Sequence, residues 1–276
     1  MQWRERLAGF LAGRRRRTSA WGAMLDQQNI LLAALSLQKT GVVRVMVYEH
    51  QHAPEGLVHL AERDDWLVQT LRSLGAHLPT GLRTMALALG ESRCRHGVLE
   101  WPGAPESRRL EAEVQLEAAA AWGVAPEEVG FDFSVQEVAL PTGTPVQQVR
   151  WAACLREELQ QWQRHARSAG WRLPVVETEH QAARRAALHL QGDTVQHWAE
   201  SPQDWQFSRT PERAPDMLDW PNLQSSPMWQ PLVACGAALG ALAFLHAGGI
   251  VIWAATAWAG LLALAAHRLD GEPAPV

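Results

Sequence analysis

Glu49, His50 and His52 form the tightest group of metal-ligating or acid–base side chains in the sequence. On a strand, residues two apart share a face, so the two imidazoles would stand side by side. A zinc site needs further ligands, and no third one lies at ligand spacing, so an exposed pair in a loop is the expectation. Asp64 and Asp65 are adjacent carboxylates, but at the head of an apolar-periodic stretch the helix dipole accounts for them. Lys39 is the single lysine among 25 basic residues, which leaves no other lysine for phosphate binding, Schiff-base chemistry or proton abstraction. Cys94, Cys154 and Cys235 are far apart and form no CxxC, so neither a disulfide framework nor a cysteine zinc site is indicated, and a reducing compartment fits. The GxxxxGK[ST], GxSxG and HExxH patterns are absent, which removes support for phosphate-loop enzymes, α/β-hydrolases and common zinc hydrolases. The sequence thus indicates no metal site and no cofactor.

The chain around these residues has 276 amino acids, 47% hydrophobic and 20% charged, a composition that buries a sizeable core. Its net charge is −4 with a pI near 6.3, so no global basic field holds nucleic acid and direct nucleic-acid binding is not expected. Residues 1–19 form a basic leader in which Arg14 to Arg17 follow the short apolar stretch. That order is wrong for a secretory signal, and none is expected. The 14 tryptophans are dispersed along the chain, which indicates packing rather than a stacking platform.

The elements follow from periodicity. Apolar runs over Ile30 to Leu37 and Val42 to Tyr48, separated by Gln38-Lys39-Thr40-Gly41, predict a β-hairpin. Leu60, Trp66, Leu67, Leu71 and Leu74 predict an amphipathic helix over 60–76, and Thr84 to Leu89 and Cys94 to Trp101 predict strands. A helix over 106–122 is followed by strands through Phe131, Phe133, Val135 and Val138 and over 146–155. Then come a helix over 157–169, a strand over 173–178 and a helix over 179–190. The alternation specifies an α/β fold.

Residues 193–230 are rich in proline and tryptophan without a stable period, and read as a linker. Residues 231–267 form a very apolar helical tail, uncharged from Pro221 to His267, with His246 and His267 bracketing its second half. Two readings stay open for it. About 249–266 approaches the roughly 20 apolar residues of a transmembrane segment, while Pro231 to Ala247 fits a buried domain helix.

Several strings resemble the type IV pilus assembly protein PilM and its competence-linked relative HofM. LEAEVQLEAAAAWGVAPEEVGFDFSV (110–135) is similar to the family's Glu/Ala-rich helix leading into a strand that ends in "D-F". VRWAACLREELQQWQRHARSAGWRLPVVETEHQAARRAAL (149–188) is similar to its following strand, helix, strand and helix, and WQPLVACGAALGAL (229–242) to its closing helix. The resemblance implies an RNase H-like, actin-type α/β domain over 20–192, with an inserted small α/β subdomain over about 92–147. It also implies that the second lobe of the actin fold is largely missing, because little chain separates Gly192 from Trp229.

The departures bear on activity. The family's phosphate-binding hairpin carries a G-I-D-I-G-S-S-S signature, whose glycines let backbone approach phosphate and whose acid helps to hold the metal. Here Gly22, Met24 and Asp26 stand in that stretch, with methionine at the acidic position and aspartate at the second glycine. The expectation is a degenerate, non-hydrolysing scaffold; the alternatives are an active actin-like ATPase of the same machinery and a membrane-anchored adaptor with a generic α/β head. The resemblance further implies a position on the cytoplasmic side of the bacterial inner membrane and a PilN-like partner, whose N-terminal peptide would bind between the main domain and the insertion. Phe131, Phe133, Arg150 and Trp151 lie on the strands nearest that junction.

Overall fold

The computed structural model describes residues 19–25, 29–54, 60–76, 78, 83–101, 107–139, 145–192, 201–212 and 218–246. In chain order the strands are β1 (Ser19–Leu25), β2 (Asn29–Leu37), β3 (Val43–His52), β4 (Thr84–Leu89), β5 (Arg95–Trp101), β6 (Val129–Ala139), β7 (Pro145–Leu155), β8 (Arg172–Thr178) and β9 (Gln206–Phe207). The helices are α1 (Leu60–Ala76), α2 (Ser107–Trp122), α3 (Arg156–Ser168), α4 (Glu179–His189), α5 (Trp220–Gln224) and α6 (Trp229–His246).

Six strands make the main sheet in the order β8-β4-β1-β2-β3-β9. β1, β2 and β3 are antiparallel neighbours, while β4 runs parallel to β1 and β8 parallel to β4. Every side chain from Ile30 to Leu35 is buried, as required of a central strand covered on both faces. The β2–β3 turn closes through Gly41, whose φ of 86° favours glycine. One face of the sheet packs on α4 and α6 through Ala20, Met24, Leu31, Ala86 and Ala88. The other packs on α1 and α3 through Trp21, Leu32, Leu67, Leu71, Leu87 and Trp171. α4 starts at a capping box, with the Gln181 N–H donating to Thr178 Oγ1 (3.2 Å) and the Thr178 N–H donating back to Gln181 Oε1 (3.5 Å).

The insertion is a separate three-stranded antiparallel sheet, β5-β7-β6, with α2 packed on one face around Leu110, Val114, Val149 and Trp151. Its last strand continues to Leu155, past the expected end near 147, because all of β7 pairs with β6.

α6 packs at backbone contact distance. A Cβ on Gly236 would stand 1.7 Å from the Ala182 carbonyl oxygen, and one on Gly22 would stand 2.2 Å from the Ala238 amide nitrogen. Glycine at both places lets the helix backbone touch α4 and β1. Beneath it the Arg185 guanidinium makes two 2.7 Å bonds to Glu177 and a 2.8 Å bond to the Gly236 carbonyl.

One expectation changes here, and one reading left open is resolved. The stretch read as a linker over 193–230 contributes to the fold: β9 pairs with β3, and Trp205 and Phe207 are fully buried. The apolar run beginning at Pro231 is a domain helix that spends its surface on the sheet and α4. Among the described residues no helix is long and apolar enough to cross a membrane; the span expected over about 249–266 and the leader up to residue 18 lie outside them.

Gly236→Ala should therefore destabilise by at least about 2 kcal/mol through overpacking. At Gly90 an added Cβ meets nothing closer than 3.7 Å, so Gly90→Ala should leave the protein nearly unchanged. Melting temperatures of the two variants check this, and equal values would contradict it.

Candidate functional site

The residues aligned with the phosphate-binding hairpin lie at the centre of the main sheet. Gly22 and Met24, two apart on β1, both face α6. Gly22 is where α6 comes closest, and Met24 is buried in the apolar cluster that includes this helix. Asp26 lies outside the described residues. The register sets Met24, Ala88 and Glu177 abreast on β1, β4 and β8. Glu177 is the one carboxylate of that row. Burial raises its pKa and Arg185 opposes the rise, and both of its oxygens are bonded to the guanidinium. Among the described residues no group of three or more His, Cys, Asp or Glu is arranged to hold a metal ion.

The other candidate residues stand apart from this row. The His50 and His52 rings stand 4.1 Å apart on β3, with His50 bonded to Asn29 at 3.0 Å. The pair lies on a strand, where a loop was expected. The three cysteines are buried and unpaired in disulfides. Burial raises all three thiols, Cys154 to about 12, so none supplies a thiolate near neutral pH.

A surface of another kind lies where the insertion meets the main domain. β6 is an edge strand, and α3 runs beside it. Between them opens a groove of about 400 Å³, lined by Phe131, Asp132 and Phe133 from β6, by Arg156, Leu159, Gln160 and Gln163 from α3, and by Glu111 from α2. Alternate residues of an antiparallel strand turn their backbone groups to the same side. The Phe133 N–H donates to Asp132 Oδ1 (2.9 Å) and the Val129 carbonyl accepts from Arg156 (3.1 Å). With these two groups bonded on the α3 side, the alternation turns the odd-numbered backbone positions toward the groove.

The insertion is held against the main domain by charged contacts. Arg93 pairs with Glu158 at 2.7 Å, and the Trp162 indole N–H donates to the same carboxylate at 3.3 Å. His180 pairs with Glu91 at 2.7 Å, although burial lowers its pKa.

The four residues singled out for partner binding divide. Phe131 and Phe133 line the groove, half-buried against the insertion core. Trp151 is 5% exposed within that core, and a Cβ on Gly97 opposite it would stand 2.6 Å from its ring. Arg150 lies on the opposite face of the sheet from Phe133 and Trp151, the face that Asp132 shares, exposed and donating to Gln148 at 3.0 Å. The sequence reading missed Asp132 and the α3 residues. Its available signal was an acid between two phenylalanines, followed by a helix with a polar face.

A family model described as Type IV pilus assembly protein PilM matches residues 22–197. The chain belongs to this family. Solved structures similar to it include a PilM-PilN type IV pilus biogenesis complex, at 22% identity and a TM-score of 0.48, covering 66% of this chain and 52% of that one. The PilM-family chain here thus spans about half the length of that relative. The cytoplasmic domain of EpsL, an inner membrane component of the type II secretion system of Vibrio cholerae, is similar at 15% identity and a TM-score of 0.41, covering 59% of this chain and 58% of that one. RuvC of T. thermophilus, in complex with a Holliday junction substrate, is similar at 11% identity and a TM-score of 0.36, covering 84% of this chain and 97% of that one. A comparison with curated proteins finds no match.

Burial in the groove raises the Asp132 carboxyl to about 7, with the Phe133 N–H pulling the other way. Below pH 4 both the folded and unfolded carboxyls are protonated; between pH 4 and 7 the folded state holds more protons, so stability falls as pH rises and levels off above 7. Asp132→Asn should change the melting temperature least below pH 4 and raise it progressively above that, by roughly 2–8 °C at pH 8. A variant less stable than wild type at pH 8 would refute the assignment.

Proposed function

We propose that this PilM-family chain is a non-catalytic scaffold of the type IV pilus assembly and DNA-uptake machinery at the cytoplasmic face of the inner membrane. There it binds the N-terminal cytoplasmic peptide of a PilN-like membrane protein. The observation that carries this reading is the open groove beside β6, where an edge strand presents backbone groups to a space wide enough for an extended chain. An added strand gains main-chain hydrogen bonds from such an edge and side-chain selectivity from the flanking pockets. The partner's identity comes from the family resemblance; the groove supplies a surface of the right kind.

The non-catalytic part rests on β1 and its neighbours in the main sheet. Methionine cannot position a metal ion, Gly22 is used for contact with α6, and the carboxylate of the Met24 row is committed to Arg185. These features support the absence of ATP hydrolysis.

The synthetic N-terminal peptide of the PilN-like protein encoded in the same genome should bind the full chain saturably in the micromolar range. Gln160→Trp, an exposed α3 position, should fill the groove and weaken binding at least about tenfold with an unchanged circular dichroism spectrum. Unimpaired binding by this variant would place the site elsewhere. A non-hydrolysable ATP analogue with magnesium should leave the melting temperature unmoved, and a concentration-dependent rise would show a working nucleotide site.

A further inference from the structure

The groove beside β6 holds a carboxylate without a counter-ion. Asp132 accepts the Phe133 N–H at 2.9 Å and, among the described residues, joins no ion pair. Glu111 lines the same groove and is likewise in none. Arg156, the guanidinium of the groove lining, donates to the Val129 carbonyl. On its inner side Asp132 borders a small crevice with Cys94, Cys154 and Glu177, the last already bonded to Arg185. Arg150, on the sheet face that Asp132 shares, is turned to Gln148 and joins no ion pair among the described residues. The groove lining therefore presents one engaged cation against two unpaired anions.

The position of Asp132 gives this imbalance a use. Its oxygen occupies the place at the Phe133 N–H where the carbonyl of an added strand would sit. A strand that docks on β6 displaces the carboxylate and covers it at the same time. A desolvated carboxylate without a partner is costly, and a cationic side chain on the incoming strand removes that cost. A neutral side chain there leaves the carboxylate unpaired.

We propose that Asp132 is the specificity anchor of the groove, pairing with a lysine or arginine side chain of an extended peptide that adds to the free edge of β6. This rests on the groove being a peptide site. Burial, which raises the carboxyl's pKa toward neutrality, agrees with a group that gains from a cation.

The test uses the full chain and two ten-residue peptides rich in threonine and valine, identical except for a central arginine or glutamine, with the PilN-like peptide as a third probe. At pH 8 the arginine peptide should bind wild type at least about tenfold tighter than the glutamine peptide. The preference should shrink at pH 5.5, where the carboxyl is protonated. Asp132→Asn, checked for folding by its melting curve, should reduce the preference to under about twofold, whereas Glu111→Gln should retain most of it. Equal binding of the two peptides, binding of neither, or a preference that survives Asp132→Asn overturns the proposal. An arginine preference that holds while the PilN-like peptide fails to bind supports the anchor and removes the partner assignment. A PilN-like peptide that binds Asp132→Asn as well as wild type leaves the partner standing and sinks the anchor.

Discussion

Backbone contact between α6 and its two neighbours sets the geometry of the main domain. At Gly22 and Gly236 the space admits hydrogen and nothing larger, so the helix has one depth and one rotation relative to β1 and α4. The buried Arg185–Glu177 pair fixes its position along the axis, because the guanidinium reaches the Gly236 carbonyl as well as the carboxylate. A pair of this kind pays for its desolvation only when every donor finds an acceptor. Gly240 completes the arrangement, since a Cβ there would stand 2.7 Å from the guanidinium. Small residues on facing surfaces and a fully bonded ion pair thus lock the helix without large interdigitating side chains.

This lock decides which ends of the sheet remain usable. α6 covers the face that Met24 and Gly22 present, and Met24 contributes apolar surface to the contact. The insertion leaves between β4 and α3 and turns an edge strand toward α3. One family fold thereby offers two surfaces of opposite character: a covered row across β1, β4 and β8 whose single carboxylate is bonded to Arg185, and an open, acidic groove beside β6.

Much of the architecture was legible because long periodic segments dominate it. The helix over 60–76 and the strand over 84–89 stand where their patterns put them, and the hairpin turn falls at Gly41 as its composition indicates. β1 was not marked as a strand, since SAWGAML lacks the alternation and β-branching that identify one; its conformation comes from β2 and β4 on either side. β9 escaped notice because two residues carry no period, although the aromatics Trp205 and Phe207 among polar neighbours were a sign of burial. At the site, the alternation of Phe131 and Phe133 was readable, but strand pairing was not. Trp151 sits over Gly97 and Arg150 faces away because of a register between segments distant in sequence, which local pattern does not encode. Asp132 is informative only once β6 is known to be an edge.

The two ends of the insertion are neighbours in space. Arg95 pairs with Ala153 on adjacent strands of the small sheet, so the chain leaves the main domain and returns to it through one closed strand pair. The segment between these points has its own core, and its closure cost is met inside its own hydrogen-bond ladder. To the main sheet the insertion is therefore a short loop, whatever its length. Changes confined to the insertion, such as a longer β6–β7 hairpin or a transplanted homologous unit, would reshape the groove beside β6 while leaving the register of β1, β4 and β8 undisturbed, so this part of the molecule can vary independently of the main sheet.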